Sequence, residues 1–315
     1  MGRLVDGEWV TETERERNDQ GFDAWIQSSG AHAPAFPAEP NRYHLYISRA
    51  CPWAHRTALV RRLRGLEGVV SLDIVDPVRR DEGWEFTPSK RACTPDSIHG
   101  AEYLREVYTR TDPSYTGRVT VPVLYDTETE TIVNNESADI ARMLDEAFET
   151  HATRERKLYP ESKRDEIDSI IDSIHRDINL GVYRAGFADT QPEYEAAVRD
   201  LFEALEQWDD TLGQHRYLLG EELTLADVFF FPTLYRFDSV YHTHFKCNVR
   251  RLRDFEHLFD YARDIYQTPD VAETCNTEHV KAHYYRSHDD INPTGFVPVG
   301  PEIGWEKPHD RGNIG

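Results

Sequence analysis

The 315-residue chain has only four cysteines, Cys51, Cys93, Cys247 and Cys275, and none has a second cysteine three positions on. That excludes a dithiol Cys-x-x-Cys centre. Nor does any cysteine–histidine grouping have zinc spacing, so no metal is expected. With no apolar leader segment at Met1–Gly7, a disulfide framework is not expected either. No apolar run approaches the roughly 18 residues of a membrane span. These absences read as a soluble, cytoplasmic protein with no membrane partner. Lysine is also scarce, with six against 30 arginines. The formal net charge of −21 is spread along the chain and would repel nucleic acid. Dispersed acid, few lysines and a 39% hydrophobic content fit adaptation to a high-salt cytoplasm, where acidity serves hydration and solubility.

What is present divides into four stretches. Residues 1–40 are polar and lack clear periodicity, and read as an N-terminal arm ending in a Pro-rich linker from Ala33 to Pro40. Residues 41–150 alternate strand and helix patterns. Tyr43–Ile47 reads as a strand, Cys51–Leu66 as a helix and Val69–Val75 as a second strand. A polar stretch of about residues 77–117 reads as an insertion. Val119–Tyr125 and Thr131–Asn134 form a hairpin, and a helix runs from Glu136 to about Phe148. The order β-α-β, insertion, β-β-α is that of a thioredoxin-like domain.

Residues 155–290 read as all-helical. Ile167, Ile170, Ile171, Ile174 and Ile178 form an apolar stripe at helical spacing. Tyr194–Leu212 and Leu252–Tyr266 are further helices. Thr224-Leu225-Ala226-Asp227 has the form of a capping box ahead of an apolar run. Residues 291–315 read as an extended tail over the surface. The fold class is therefore α/β plus all-α.

Cys51 follows a strand and opens a helix. There, unpaired N–H groups and the helix dipole favour thiolate over thiol. Pro52 suits the first turn, since its missing N–H needs no partner. Arg49 and Arg56 add positive charge. The alternative for any lone cysteine is a small buried core residue. In Cys51-Pro52-Trp53-Ala54 no second thiol stands ready to resolve a mixed disulfide, so an external low-molecular-weight thiol must do so. Pro122 would be a defect in a strand unless it serves a purpose. In thioredoxin-like proteins a cis proline here exposes the preceding backbone, in this chain Val121, to pair with a peptide-like ligand. Glu136-Ser137 opens a helix that suits the α-amino-acid end of a γ-glutamyl group, although a plain cap explains it equally.

The runs Ser48-Arg49-Ala50-Cys51-Pro52-Trp53-Ala54-His55-Arg56-Thr57, Gly117–Leu124 and Asn134–Ser137 resemble the Xi class of glutathione transferases, the glutathionyl-hydroquinone reductases. So do Gly181–Ala188, Arg236–Asp238, His244–Asn248 and His283–Tyr285. The resemblance runs from about residue 41 to 300. The stretch 13–25 departs from it, being strongly charged. The resemblance implies a homodimer of thioredoxin-like and helical domains. It implies Cys51 as the nucleophile on a glutathionyl-hydroquinone, and Trp84, Arg118, Val121, Glu136 and Ser137 as glutathione-binding. It places Tyr183, Tyr241 and Tyr284 or Tyr285 at the hydroquinone, with Tyr183 catalytic. Glutathione is then the cosubstrate, with γ-glutamylcysteine a possible replacement in a halophile. A general thiol transferase, a dehydroascorbate-type reductase and a non-catalytic regulator on the same fold stay open at this point. So do roles for Cys93, Cys247 and Cys275.

Overall fold

The computed structural model describes residues 2–11, 21–28 and 35–314. The expectations that fall on residues 13–20 and 33–34 lie outside the described residues. The chain divides into two compact units, Met1–Arg156 and Lys157–Gly315.

The first unit opens with an element absent from the sequence reading. Strands β1 (Arg3–Val5) and β2 (Glu8–Val10) form an antiparallel hairpin. Its two-residue turn is Asp6-Gly7, both at positive φ (48° and 80°), the arrangement Asp-Gly favours because it matches strand twist. A Cβ on Gly7 would lie 1.9 Å from the Pro113 carbonyl oxygen, so only glycine fits. The main sheet has the order β4-β3-β5-β6. Strand β3 (Tyr43–Ile47) is buried along its whole length, as a central strand covered on both faces must be. It pairs parallel with β4 (Val70–Ile74) and antiparallel with β5 (Val123–Asp126), which pairs antiparallel with β6 (Thr131–Asn134). Helix α1 (Pro52–Leu63) crosses from β3 to β4. The third expected strand is shorter than its sequence pattern, because the ladder begins only after Pro122.

The stretch expected as an insertion contains helix α2 (Leu104–Thr111), which buries Leu104, Val107 and Tyr108 at helical spacing. Polar neighbours mask that short stripe in the sequence. Buried carboxylates hold the rest of the stretch in place. Asp73 accepts from Ser97 N and Oγ, both at 2.7 Å, and pairs with His44 Nε2 at 3.1 Å. Asp96 accepts from the Tyr46 hydroxyl at 2.9 Å. Helix α3 (Ser137–Glu146) closes the unit's secondary structure apart from a final 3-10 turn.

The second unit contains α4 (Arg164–Ile174), α5 (Gly181–Gly186), α6 (Gln191–Leu212), α7 (Leu225–Arg236), α8 (Leu258–Gln267) and α9 (Thr277–Ser287). Two π turns, His175–Asn179 and Phe237–Tyr241, continue α4 and α7. The sequence reading has neither α5, α9 nor the π turns. The capping box is present as read. Fully buried Asp227 accepts from Thr224 N at 2.7 Å and Thr224 Oγ1 at 3.0 Å. Its other oxygen accepts from Leu218 N at 3.0 Å and the Tyr261 hydroxyl at 2.8 Å. One carboxylate thus fixes the start of α7, the preceding loop and α8. The tail does more than lie over the surface. Trp305 is buried and stacks with Tyr235 and Tyr266. Buried Arg311 donates to the carbonyls of Leu212 and Arg216, at 2.6 and 2.7 Å, and so caps the end of α6. No helix among the described residues is long and apolar enough to cross a membrane.

Two predictions follow from these buried carboxylates. Asp227→Ala strands the N–H groups of Leu218 and Thr224 and the Tyr261 hydroxyl, and should cost about 3 kcal/mol in denaturant unfolding. In the first unit, burial alone would raise the pKa of Asp73, Asp76 and Asp126. Hydrogen bonds from His44 and Ser97, from Lys90, Val78 and Thr87, and from Arg42, Glu128 N and Thr129 outweigh it and hold all three below the usual carboxylate range. Their stabilising effect is present above about pH 4, the unfolded value, and is lost as pH falls through the lower folded values. Circular dichroism during acid titration should therefore show the first unit unfolding below pH 4. Asp126→Asn, which removes one of these groups, should flatten that slope.

Candidate active site

The register of the central strands builds the surroundings of Cys51. Tyr46 of β3 stands opposite Val123 of β5, running in the opposite direction. The residues leaving β3 therefore meet the residues entering β5. Cys51 ends the turn after β3 and is the N-cap of α1, with φ −73° and ψ 125°. Its N–H donates to Ser48 O at 3.1 Å, and its C=O accepts from His55 N at 3.0 Å. The thiol donates to Val121 O at 3.6 Å. The Val121–Pro122 peptide is cis. Cys51 is 8% exposed, and Pro52 occupies the first helical position.

The other expected residues of this unit have the following surroundings. Arg56, in the first turns of α1, lies 4.5 Å from the Trp53 ring centroid and donates to Ser137 Oγ at 3.5 Å. Ser137 is the first residue of α3 and is buried, whereas its N-cap Glu136 is exposed. The Glu136 carboxylate accepts from Ala138 N at 3.5 Å and Ser137 Oγ at 3.4 Å. The Glu136 N–H donates to Asn134 Oδ1 at 2.7 Å, which fixes the junction between β6 and α3. An acid and a hydroxyl at a helix N-terminus can hold an ammonium and a carboxylate together. Trp84 is buried, and the Arg79 guanidinium lies 5.7 Å from its ring. Arg118 is exposed, and its carbonyl accepts from the Tyr115 hydroxyl at 3.3 Å.

In the second unit the tyrosines sort themselves. The hydroxyls of Tyr183 and Tyr284 lie 2.5 Å apart, and those of Tyr241 and Tyr284 lie 2.9 Å apart. Tyr284 is thus the hub of a three-hydroxyl group. Tyr285 is not part of it, since its hydroxyl donates to Ser239 O at 3.3 Å. Tyr183 comes from α5, Tyr241 from the last position of a π turn and Tyr284 from α9. A π turn inserts a residue into a helix and re-aims the side chains beyond it, and such turns recur at functional sites. Asp238 anchors this one by accepting from Leu252 N at 2.5 Å. Phe245 stacks with Tyr241 at 5.6 Å and meets Tyr183 and Tyr284 edge-on. A Cβ on Gly186 would lie 2.3 Å from the Phe245 ring, which explains the glycine in the run around Tyr183. Burial pushes the Tyr284 pKa well above 10. The nearby Tyr183 and Tyr241 add to that, and Arg236 opposes it. The hub therefore stays protonated at physiological pH.

The remaining cysteines differ from Cys51. Cys247 is fully buried, and burial pushes its thiol up to about 12, as suits a core residue. Burial also raises the Cys93 thiol, which donates to Val75 O at 3.7 Å. Among the described residues no three His, Cys, Asp or Glu side chains form a group that could hold a metal.

Comparison with known proteins places this arrangement. The glutathione S-transferase N-terminal domain model matches residues 50–147, and the C-terminal domain model matches residues 191–265. The glutathionyl-hydroquinone reductase YqjG of Escherichia coli (strain K12) is 45% identical, over 99% of this chain and 98% of its own. The glutathionyl-hydroquinone reductase PcpF of Sphingobium chlorophenolicum is also 45% identical, over 96% of each chain. A Xi class glutathione transferase structure from Natrialba magadii superposes with a TM-score of 0.97 at 51% identity, over 100% of this chain and 97% of that one. The glutathione-bound structure of YqjG gives a TM-score of 0.93 at 44% identity, over 99% of both chains. With a lone cysteine at a helix start and three tyrosine hydroxyls gathered in a helical unit, the chain belongs to the Xi class of the glutathione transferases, the glutathionyl-hydroquinone reductase family.

Proposed function

We propose that this enzyme removes the glutathionyl group from glutathionyl-hydroquinones through Cys51. The observation that carries the reading is a lone thiol at the N-cap of α1, set against the Val121 carbonyl, with Ala54 where a resolving cysteine would stand. The names of YqjG and PcpF support it, as does the glutathione in the YqjG structure.

In the first step the Cys51 thiolate attacks the thioether sulfur. A Cys51–glutathione disulfide forms and the sulfur–carbon bond breaks. The bonding pair stays with the ring carbon, which takes up a proton to give the hydroquinone. In the second step a glutathione thiolate attacks the glutathionyl sulfur of the mixed disulfide. Glutathione disulfide leaves and the Cys51 thiolate returns. Two electrons thus pass from two thiols to the aromatic carbon, and no outside reductant is needed.

Trp84, Arg118, Val121, Glu136 and Ser137 bind the thiol. The Val121 backbone pairs with its cysteinyl segment as an added strand, and Glu136 and Ser137 take the γ-glutamyl ammonium and carboxylate. γ-Glutamylcysteine shares that end and is the alternative cosubstrate. The hydroxyls of Tyr183, Tyr241 and Tyr284 donate hydrogen bonds to the hydroquinone oxygens, and Tyr183 is the group that meets the reacting ring. Tyr285, whose hydroxyl donates to Ser239 O, stays outside this group. We further propose a cytoplasmic homodimer, as the family resemblance implies, and adaptation to high salt, which is supported by 57 acidic residues against 36 basic ones, only six of them lysine.

Mass spectrometry of the enzyme mixed with a glutathionyl-hydroquinone should find one glutathionyl group on the Cys51 peptide. Cys51→Ser should lower kcat/KM by about 10³-fold or more. Tyr284→Phe should lower it about 10²-fold, and Tyr285→Phe should leave it nearly unchanged. Full turnover by Cys51→Ser would sink the covalent route. Assays with glutathione and γ-glutamylcysteine side by side at molar KCl identify the thiol. The salt reading predicts a melting temperature that rises steadily from 0.1 M to 2 M KCl, as screening relieves acidic self-repulsion. A flat profile would remove it.

A further inference from the structure

The N-terminal hairpin, part of a plain arm in the sequence reading, is tied to two other segments of its own unit. Leu4 of β1 is buried and exchanges both backbone hydrogen bonds with Gly117, each at 3.0 Å. The turn adds two more. Gly7 N donates to Tyr115 O at 3.1 Å, and Asp6 N donates to Thr116 Oγ1 at 2.9 Å. Residues 115–117 are thus held against β1 and its turn, and the next residue is Arg118. Trp9 of β2 reaches the second segment. Its Nε1–H donates to Asp81 O at 2.8 Å. Its ring packs on the Gly83 backbone, where a Cβ would lie 3.0 Å from the ring. The residue after Gly83 is Trp84.

Arg105 of α2 locks the second contact. Its guanidinium lies 5.2 Å from the Trp9 ring centroid, pairs with the Glu82 carboxylate at 2.7 Å and donates to Glu82 O. A cation on an aromatic face is held by the ring quadrupole. Trp84 is tied from the same side, since its carbonyl accepts from Leu104 N at 2.9 Å. These ties matter because residues 75–103, between β4 and α2, carry neither a helix nor a strand ladder. A connection of that length has many conformers unless it is anchored. A ligand that had to order it on arrival would lose affinity by the amount that ordering costs. The hairpin meets that cost in advance.

We propose that Trp9 is a positioning residue for thiol binding: the hairpin that carries it grips residues 81–83 on one side and 115–117 on the other, and so sets Trp84 and Arg118 in place before the thiol arrives. The proposal rests on the reading above that Trp84 and Arg118 bind the thiol. It gives the first ten residues a part in the site although none of them is proposed to touch the ligand.

The test is calorimetric titration of glutathione and of γ-glutamylcysteine into the full chain carrying Cys51→Ser, which binds the thiol without a covalent step. The tighter of the two serves as the probe. Trp9→Ala should raise its Kd about tenfold. Trp9→Phe, which keeps a ring against Gly83 and Arg105, should restore most of that loss. Because Trp9 acts through Trp84, adding Trp9→Ala to Trp84→Ala should weaken binding by less than about threefold beyond Trp84→Ala alone. An unchanged Kd in Trp9→Ala, while Trp84→Ala and Arg118→Ala each raise it, would overturn the proposal and leave the reading above standing. A full tenfold effect of Trp9→Ala on top of Trp84→Ala would overturn it too, since Trp9 would then act elsewhere. No binding by either thiol, or a Kd unmoved by Trp84→Ala and Arg118→Ala, fails the reading above and the proposal with it. If Trp9→Ala loses its cooperative unfolding, Trp9→Leu is read in the same way, and an unmoved Kd there overturns the proposal.

Discussion

The placement of Cys51 depends on the antiparallel pairing of β3 with β5. Because Tyr46 faces Val123, the four residues after Ile47 come back against the two that precede β5. That register brings the Cys51 sulfur to the Val121 carbonyl. Strand side chains alternate faces with a period of two, so a slip of one residue would turn Tyr43, Leu45 and Ile47 to the other face and carry the thiol away from its partner backbone. The full burial of β3 makes such a slip costly, since both faces are apolar or bonded to buried groups such as Asp73 and Asp96. The rigidity of the core and the accuracy of the site are one constraint.

The parts of the fold legible in sequence are those with long or chemically distinct patterns. β3, α1, β4, the isoleucine stripe of α4 and the capping box at Thr224 have enough matched positions to stand out. The missing parts have physical reasons. α2 shows three buried residues among charges, and α5 has only six residues. α9 carries Tyr284 in a mixture of histidine, lysine and tyrosine with no apolar stripe to mark it. The π turns leave no composition signal, because one extra residue per turn changes geometry and not chemistry. The Asp6-Gly7 hairpin, by contrast, had a readable turn dipeptide.

The candidate site was legible to the same degree. Cys51 and Pro122 follow from strand, helix and proline logic alone, while the residues proposed to bind glutathione and the tyrosines needed the family resemblance. Tyr284 and Tyr285 are neighbours in sequence with identical chemistry, and only a fold that sends one hydroxyl to Tyr183 and the other to Ser239 separates them.

The tyrosine group has a consequence that follows from counting. Three hydroxyls carry three hydrogens, and two hydrogen bonds join them through Tyr284. Whichever way those bonds run, they use two hydrogens, so the third is left for an acceptor outside the trio. Reversing one bond moves that outward hydrogen from one tyrosine to another without creating or removing a charge. The group is therefore a neutral donor of variable position. Its outward hydrogen can pass among Tyr183, Tyr241 and Tyr284 at the cost of rotating hydroxyls alone.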